Sequence, residues 1–291
     1  MSVQRVTVND VQRMADRGEP IPVLTAYDAP TARALDDAGI PMILVGDSLG
    51  NTVLGFESTI PVTLEMMIHH TAAVVRGTQR ALVIGDLPFL SYQVSPEQAL
   101  ESAGRLMQEA GCQAVKLEGG RRSREAIEKI VEAGIPVAGH IGMTPQSVNA
   151  IGGHRVQGKS VESAIGVTRD ALAVQNAGAF CVFLELVAIE LSQTITERLR
   201  IPTIGIGAGP ATDGQVLVLA DLLGWNPDFQ PRHSTRYADL HATALDAARR
   251  FAEDVRSRSF PTDDNGTHLR PETIDELHAR EQLIRRIEVD V

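Results

Sequence analysis

Two patterns of hydrophobic and polar positions alternate along most of this chain. Short apolar runs end at a glycine or an acid, as in MILVGD at 42–47 and LVIGD at 82–86. Such runs are typical of buried parallel strands. Between them lie longer segments whose apolar residues recur three and four positions apart, which is typical of amphipathic helices. The pattern therefore predicts a series of strand–helix units.

The apolar runs predict eight strands, over residues 23–27, 42–45, 81–86, 114–118, 136–141, 180–186, 203–206 and 216–223. The helical pattern covers most of the segments between them, for example 95–110 and 160–176. Eight such alternations favour an α/β fold in which the sheet closes into a single (β/α)₈ TIM barrel, rather than an open doubly wound sheet. In such barrels the loops after the strands build the active site.

Segments outside the strand–helix units lie at both ends of the chain. Residues 7–17 predict an N-terminal helix, and residues 238–255 predict a helix after the last strand. The segment 257–271 is polar and contains Pro and Gly, whereas 272–287 again has an amphipathic pattern. We therefore predict a barrel catalytic domain over residues 1–256, with a linker and C-terminal amphipathic helix over 257–291.

Composition and charge exclude several classes of function. The 27 basic and 37 acidic residues leave a formal net charge of −10, which argues against nucleic acid or an anionic membrane as a partner. The N-terminus lacks the apolar core of a signal peptide, and no segment is long enough to span a bilayer, so we expect a soluble cytoplasmic protein. Cys112 and Cys181 lack metal-ligand spacing, so we expect buried free thiols.

Three strands end in a carboxylate after the same kind of apolar approach: Asp47, Asp86 and Glu118. Because the ends of parallel strands meet at one rim of a barrel, these side chains are candidates for one site. Oxygen ligands suit a hard cation such as Mg²⁺, which commonly takes one or two carboxylates from the protein. The alternative is that each acid caps the following helix or lies in a solvated loop.

Polar residues beside these acids are candidates for substrate binding. Lys116 lies two positions before Glu118, so both side chains point to the same face of a strand, either as a structural ion pair or toward an anionic substrate. Ser48 either donates a hydrogen bond to that anion or caps a turn. His140, at the end of the fifth strand, either binds substrate or satisfies a hydrogen bond in the core.

Two further motifs near the later strands carry competing interpretations. Glu185 follows an apolar run, and such surroundings favour a carboxyl that works as a general base near neutral pH. A salt bridge, for example with Arg155, is the structural alternative. The glycines of IGIGAG at 204–209 suggest either a phosphate cradle or close backbone packing, and the spacing favours packing.

Six motifs in order resemble one enzyme family. They are VGDSLG at 45–50, PVTLEMMIHHTAAVVRG at 61–77, GDLPFLSY at 85–92, VKLEGG at 115–120, GHIGMTPQSVNAIGG at 139–153 and IGIGAGPATDGQ at 204–215. Together they resemble the ketopantoate hydroxymethyltransferase family, over roughly residues 1–260. The resemblance implies a barrel of the phosphoenolpyruvate/pyruvate type. It also implies transfer of a hydroxymethyl group from 5,10-methylenetetrahydrofolate to 2-oxoisovalerate, giving ketopantoate for pantothenate and coenzyme A biosynthesis.

The resemblance also implies roles for individual residues. Asp47 and Asp86 would hold Mg²⁺ next to the substrate, with Glu118 bound to the ion directly or through water. Ser48, Lys116 and His140 would bind the keto acid. Glu185 would remove the C3 proton. Members of the family are usually large homo-oligomers, and a decamer is the state that the resemblance implies.

The chain departs from the family pattern at three places, and these keep other functions open. Residues 186–188 read Leu-Val-Ala where the family usually has Cys-Val-Pro. Ala220 stands where histidine is frequent, and residues 233–235 read His-Ser-Thr where the family has an aromatic residue, a small residue and lysine. The alternatives are a related carbon–carbon lyase acting on an oxo acid and a degenerate barrel without catalysis.

Overall fold

The computed structural model describes residues 4–289, and their side chains as far as residue 281. Eight parallel strands form a closed barrel in sequence order, and the last strand pairs with the first. The predicted TIM barrel is thereby confirmed. The strands are β1 (Ile21–Thr25), β2 (Met42–Val45), β3 (Leu82–Asp86), β4 (Ala114–Glu118), β5 (Val137–Gly142), β6 (Cys181–Glu185), β7 (Thr203–Ile206) and β8 (Gly214–Leu217).

Helices follow most of the strands. They are α1 (Val8–Asp16), α2 (Ala29–Asp37), α3 (Leu49–Thr52), α4 (Leu64–Gly77), α5 (Pro96–Arg105), α6 (Arg124–Glu132), α7 (Val148–Ile151), α8 (Val161–Asn176), α9 (Ile189–Arg198), α10 (Leu219–Leu222), α11 (Leu240–Ser257) and α12 (Pro271–Val289). A π-helical turn, Leu106–Ala110, extends α5, and 3₁₀ turns occur at Arg121–Ser123, Pro145–Ser147 and Asp263–Asn265.

The prediction of strand eight was wrong in its second half. The strand ends at Leu217, and α10 follows directly. The predicted segment, 216–223, is apolar except for Asp221, so its periodicity does not distinguish a strand from a short buried helix. The turn between the two elements is fixed by the Leu219 N–H, which donates to Thr25 Oγ1 at 3.0 Å.

Alternate residues of the strands supply two separate cores. Residues such as Met42, Ile84 and Phe183 fill the inner core inside the barrel, where Val11 of α1 joins them. Their neighbours in sequence belong to an outer core between the strands and the helices. Both cysteines are buried and free, as predicted. The inward-facing series of β3, β4 and β6 continue into Asp86, Glu118 and Glu185 at the carboxyl ends of those strands.

The chain divides into two compact units, Met1–Ala238 and Asp239–Val291. The first contains the barrel. The second contains α11, which was assigned from the sequence to the barrel domain, together with α12. Helix α12 lies where the C-terminal amphipathic helix was predicted, and Ile274 and Leu277 on it are exposed. Within the part of the chain that the structure describes, none of the helices combines the length and the apolar composition that a membrane-spanning segment requires.

A buried carboxylate joins α2 to the start of β3. Asp36 is 4% exposed, and its two carboxylate oxygens accept hydrogen bonds from three successive backbone N–H groups, those of Gln79, Arg80 and Ala81. Burial alone would raise the pKa of Asp36, but these N–H donors and the charge of Arg80 outweigh it and lower the pKa below its ordinary value. Asp36 therefore stabilises the fold in its ionised form.

We expect Asp36→Asn to destabilise the protein by about 1–3 kcal/mol at pH 7, because the amide loses the charge that the three donors face. A carboxyl whose pKa is lowered on folding contributes stability that is present above its unfolded pKa and lost as pH falls through the folded value. The difference in free energy of unfolding between wild type and variant should therefore shrink below about pH 4. Denaturant unfolding of both proteins at several pH values measures this difference.

Asp37→Asn is the matched control, because Asp37 is the exposed neighbour at the end of the same helix. It should change stability by no more than about 0.5 kcal/mol. A pH-independent difference for Asp36→Asn would contradict the role of the charge.

Candidate active site

The register of the barrel brings the predicted site residues together. Asp86 on β3 pairs with Lys116 on β4, and Glu118 on β4 pairs with His140 on β5. Asp47 follows β2, and its backbone N–H donates to Asp86 Oδ2 at 3.3 Å. Parallel pairing alone thus collects the polar ends of four neighbouring strands at one rim.

These residues line one large cavity at the carboxyl ends of the strands. Its volume is about 1090 Å³, and its lining includes Ser48 and Glu185 together with the strand-end acids. All the residues predicted for metal, substrate and proton transfer therefore share one cavity. They are Asp47, Ser48, Asp86, Lys116, Glu118, His140 and Glu185.

Asp47, Asp86 and Glu118, with the ammonium of Lys116 among them, form what we call the carboxylate cluster. Lys116 Nζ lies 2.8 Å from Asp86 Oδ2, and both side chains are almost completely buried. Lys116 Nζ also lies 3.4 Å from His140 Nδ1. The sequence left an ion pair and an anionic substrate open as roles for Lys116, and the structure contains the ion pair.

Negative charge exceeds positive charge within the carboxylate cluster. Burial raises the pKa of Asp47 well above its ordinary value, and the charges of Asp86 and Glu118 raise it further. Burial likewise raises the pKa of Asp86, although Lys116 opposes this. Burial would lower the pKa of Lys116, but the surrounding carboxylates outweigh it and raise the pKa. An additional cation would therefore be stabilised here.

Two carboxylate oxygens of the cluster have no hydrogen-bond partner in the described part of the chain: Asp86 Oδ1 and Glu118 Oε1. Buried acceptors of this kind are costly unless something pairs with them. Among the described residues, no three His, Cys, Asp or Glu side chains converge closely enough to enclose a metal ion. The oxygen-rich donors thus fit a hard cation that completes its shell with water or substrate oxygens.

His140 lies between the carboxylate cluster and Glu185. Its Nδ1 is 3.5 Å from Glu118 Oε1, and its Nε2 is 3.2 Å from Glu185 Oε2, although neither contact has hydrogen-bond alignment. Burial and the charge of Lys116 lower the pKa of His140, but the carboxyls of Glu118 and Glu185 outweigh both and raise it to about 9. Glu185 thus contacts His140 rather than Arg155.

Ser48 begins α3 without forming a side-chain cap. Its hydroxyl instead lies 2.8 Å from the hydroxyl of the buried Tyr27. The cap interpretation of Ser48 is therefore wrong, and the hydroxyl remains at the lining of the cavity.

The backbone around Glu185 is held at two points. Gly142 has a φ of +90°, and a Cβ at this position would lie 2.3 Å from the Glu185 carbonyl oxygen. That oxygen accepts a hydrogen bond from the Met143 N–H at 2.8 Å. On the far side of Glu185, Gln157 donates to the Leu186 carbonyl at 2.7 Å and accepts from the Ala188 N–H at 3.1 Å. Ala188 supplies an N–H that a proline would lack.

The glycines of IGIGAG allow close packing of the backbone, which is the alternative that their spacing favoured. A Cβ at Gly205 would lie 2.7 Å from Thr212 Oγ1, and one at Gly209 would lie 2.9 Å from Ile189. At Gly207 it would lie 2.7 Å from Leu186. The last contact places this loop beside the residue that follows Glu185.

Two buried polar residues of the site were missed from the sequence. Gln146 donates to Asp47 Oδ2 at 2.9 Å, and Tyr92 OH accepts from the Glu118 N–H at 3.2 Å. Tyr92 lies on a loop and Gln146 lies in a single 3₁₀ turn, and neither is long enough to have a periodicity that shows which side chains point inward. Trp225 and Phe229, on the loop after α10, also line the cavity and were missed.

Known proteins similar to this chain were found by sequence and by structure. The family model of ketopantoate hydroxymethyltransferase matches residues 5–263. The 3-methyl-2-oxobutanoate hydroxymethyltransferase of Chloroflexus aurantiacus is 61% identical over 92% of this chain and 94% of that protein. The enzyme of the same name from Streptomyces coelicolor is 57% identical over 91% of each.

Solved structures share the fold at much lower identity. A phosphonopyruvate hydrolase superposes with a TM-score of 0.56 at 14% identity, over 97% of this chain and 98% of that chain. A 2,3-dimethylmalate lyase, described as a PEP mutase/isocitrate lyase superfamily member, has a TM-score of 0.55 at 15% identity, over 98% of each chain. The chain therefore shares the barrel fold of these two proteins.

We expect Gly142→Ala to reduce catalysis and stability together, because the added Cβ cannot fit against the Glu185 carbonyl without moving it. Forcing a non-glycine residue into this conformation costs about 1–3 kcal/mol. Thermal unfolding and steady-state rates measure the two effects.

Gly104→Ala is the matched control, since Gly104 lies in α5 with open space around it. It should leave the rate unchanged and be neutral or stabilising by about 0.5–1 kcal/mol. Wild-type activity in Gly142→Ala would show that the backbone of Glu185 does not depend on this glycine.

Proposed function

The chain belongs to the ketopantoate hydroxymethyltransferase family, and we propose that its cavity transfers a hydroxymethyl group from 5,10-methylenetetrahydrofolate to C3 of 2-oxoisovalerate. The observation that carries this proposal is the contact of Glu185 with His140, which joins a carboxyl to the carboxylate cluster across one cavity. Such an arrangement suits removal of a proton next to a ketone, where charge must be stabilised on the keto oxygen. The product, ketopantoate, belongs to pantothenate biosynthesis.

Asp47 and Asp86 would hold a divalent cation, Mg²⁺ by the chemistry of the donors, with Glu118 bound directly or through water. The unpartnered oxygens of Asp86 and Glu118 and the excess of negative charge support this assignment. When bound, the ion supplies positive charge that stabilises developing negative charge on the keto oxygen. Two protein carboxylates and a shell completed by small oxygen ligands are usual for Mg²⁺.

Positive and hydroxyl groups beside the cluster would bind the keto acid. Lys116 and His140 supply two cationic groups within the lining of the cavity, and Ser48 supplies a hydroxyl. Charge-assisted hydrogen bonds to a carboxylate are stronger than neutral ones. These three residues would therefore fix the acid end of the substrate and present C3 to Glu185.

Glu185 would act as the general base. Its side chain is 16% exposed, so it reaches the cavity while remaining largely shielded from water. Proton abstraction from C3 would leave an enolate, whose carbon attacks the methylene group of the folate as one of its two bonds to nitrogen breaks. Water then replaces the second nitrogen on that carbon and gives the hydroxymethyl product. The proton that Glu185 took goes to one of the two nitrogens, and one proton of the water goes to the other.

The outer part of the cavity would bind the folate. A volume of about 1090 Å³ is at the upper end for ligand sites and far exceeds what a five-carbon keto acid needs. Trp225 and Phe229 are 47% and 63% exposed and line this region. Exposed aromatic rings beside a cavity are suited to stack on a flat heterocycle such as a pterin.

We expect Glu185→Gln to lower both C3 proton exchange and ketopantoate formation by about 10²–10⁴-fold, because the amide cannot accept a proton. Deuterium exchange at C3 of 2-oxoisovalerate, with Mg²⁺ and without folate, measures the first step alone. Chelation of the metal should abolish exchange in the wild type.

Glu190→Gln is the matched control, because Glu190 is exposed on α9 close in sequence to Glu185. It should retain the wild-type exchange rate. If Glu185→Gln exchanges normally but forms no product, Glu185 acts on the folate half-reaction and His140 becomes the first candidate for the base. If the wild type shows no exchange, the chain is a degenerate barrel.

Trp225→Ala should raise the KM for 5,10-methylenetetrahydrofolate by about 2–10-fold, since a stacking contact is worth about 0.5–1.5 kcal/mol. The rate of C3 exchange, which needs no folate, should not change. Tyr237→Ala, which removes a more exposed ring that does not line the cavity, is the control. Equal KM values for both variants would contradict the assignment of the folate region.

The homo-oligomeric, decameric assembly and the cytoplasmic location remain predictions.

A further inference from the structure

We propose that Gln146 is a positioning residue that fixes the orientation of Asp47 and Glu118 for cation binding. The proposal rests on the metal site proposed above. It assigns a role to a side chain that bonds the carboxylate cluster without lining the cavity and does not itself act on the substrate.

Every hydrogen-bonding position of the Gln146 amide is used. Its Nε2 donates to Asp47 Oδ2 and to the Leu87 carbonyl, each at 2.9 Å. Its Oε1 accepts from Tyr92 OH at 2.8 Å and from Gln93 Nε2 at 3.2 Å. Because both donors and both acceptor positions are occupied, the amide has one orientation, and Asp47 Oδ2 receives a donor of fixed direction.

Glu118 is held by the same residue through two routes. The backbone N–H of Gln146 donates to Glu118 Oε2 at 3.1 Å. Tyr92 OH, which donates to the Gln146 side chain, accepts from the backbone N–H of Glu118 at 3.2 Å. Glu118 Oε1 meanwhile has no hydrogen-bond partner in the described part of the chain. One oxygen of this carboxylate is therefore fixed while the other is left for a ligand.

Gln146 lies outside the cavity. It is 3% exposed, and among the described residues that line the cavity Asp47, Asp86 and Glu118 are present whereas Gln146 is not. Its loop is itself anchored, because Arg122 Nη2 donates to Ser147 Oγ at 2.8 Å. Partners of this kind, one layer behind the ligands, commonly change metal affinity 10–100-fold when they are removed.

The chemistry of the amide explains why glutamine is suited to this position. Asp47 and the Leu87 carbonyl need donors, whereas Tyr92 and Gln93 present donors and need an acceptor. An ionised glutamate offers acceptors alone, and methionine, of similar size, offers no strong donor or acceptor. Gln146→Met therefore removes the four side-chain hydrogen bonds with little change in volume, and it keeps the backbone N–H that donates to Glu118 Oε2.

The test uses Mn²⁺ alone as the probe, titrated into the full-length protein and followed by electron paramagnetic resonance. We expect Gln146→Met to bind Mn²⁺ about 10–100-fold more weakly than wild type. Tyr92→Phe, which removes one hydroxyl from the same network, should weaken binding about tenfold. Mn²⁺ affinity within twofold of wild type in folded Gln146→Met overturns the proposal. If Gln146→Met does not fold, the same result for Tyr92→Phe overturns it.

Gln113→Met is the matched control, because Gln113 also bonds backbone groups, Val83 N–H and the Gly111 carbonyl, but at the amino end of the strands. It should lower the melting temperature and leave Mn²⁺ affinity unchanged. If Gln113→Met weakens Mn²⁺ binding as much as Gln146→Met does, the effect is loss of stability and the proposal fails. If wild type binds no Mn²⁺, the metal assignment itself fails instead.

Discussion

The buried ion pair between Lys116 and Asp86 is the interaction around which the site is arranged. Taking an ammonium and a carboxylate out of water costs several kcal/mol for each ion, and attraction repays this only with close geometry and further hydrogen bonds. Here the two atoms are 2.8 Å apart, and the strand register places the residues directly opposite each other. A hydrophobic pair of similar size would serve stability as well, so the pair is better explained by the chemistry of the cavity.

The same pair leaves the site short of positive charge. One ammonium faces three buried carboxylates, and the raised pKa values of Asp47 and Asp86 express the resulting repulsion and burial. A divalent cation would relieve that repulsion and would also pair with the free oxygens of Asp86 and Glu118. The repulsion among the carboxylates and the attraction that they would exert on a cation are therefore two consequences of one arrangement.

The polar ends of β3 to β6 were predictable from the sequence because each follows a short apolar run and continues the inward-facing series of its strand, whereas Asp47 lies just after β2. These ends are Asp86, Glu118, His140 and Glu185. In β4, for example, Ala114, Lys116 and Glu118 share the inward face. The apolar run therefore predicts both the strand and the side of it on which the polar residues lie. Gln146 and Tyr92 follow no such period, and their direction depends on loop contacts that form only when distant strands meet. The short helix α10 was missed for a related reason. Its segment is almost entirely apolar, so periodicity does not distinguish a helix from a strand there.

The segment between β5 and α8 connects the two halves of the proposed chemistry. Near its start, Gly142 and Met143 contact the Glu185 carbonyl, and Gln146 contacts Asp47 and Glu118. Near its end, Gln157 bonds both sides of the residues after Glu185. The distance between Glu185 and the carboxylate cluster is thus set by this segment of backbone as well as by the barrel. A shift of this segment would therefore move Glu185 and the carboxylate cluster together.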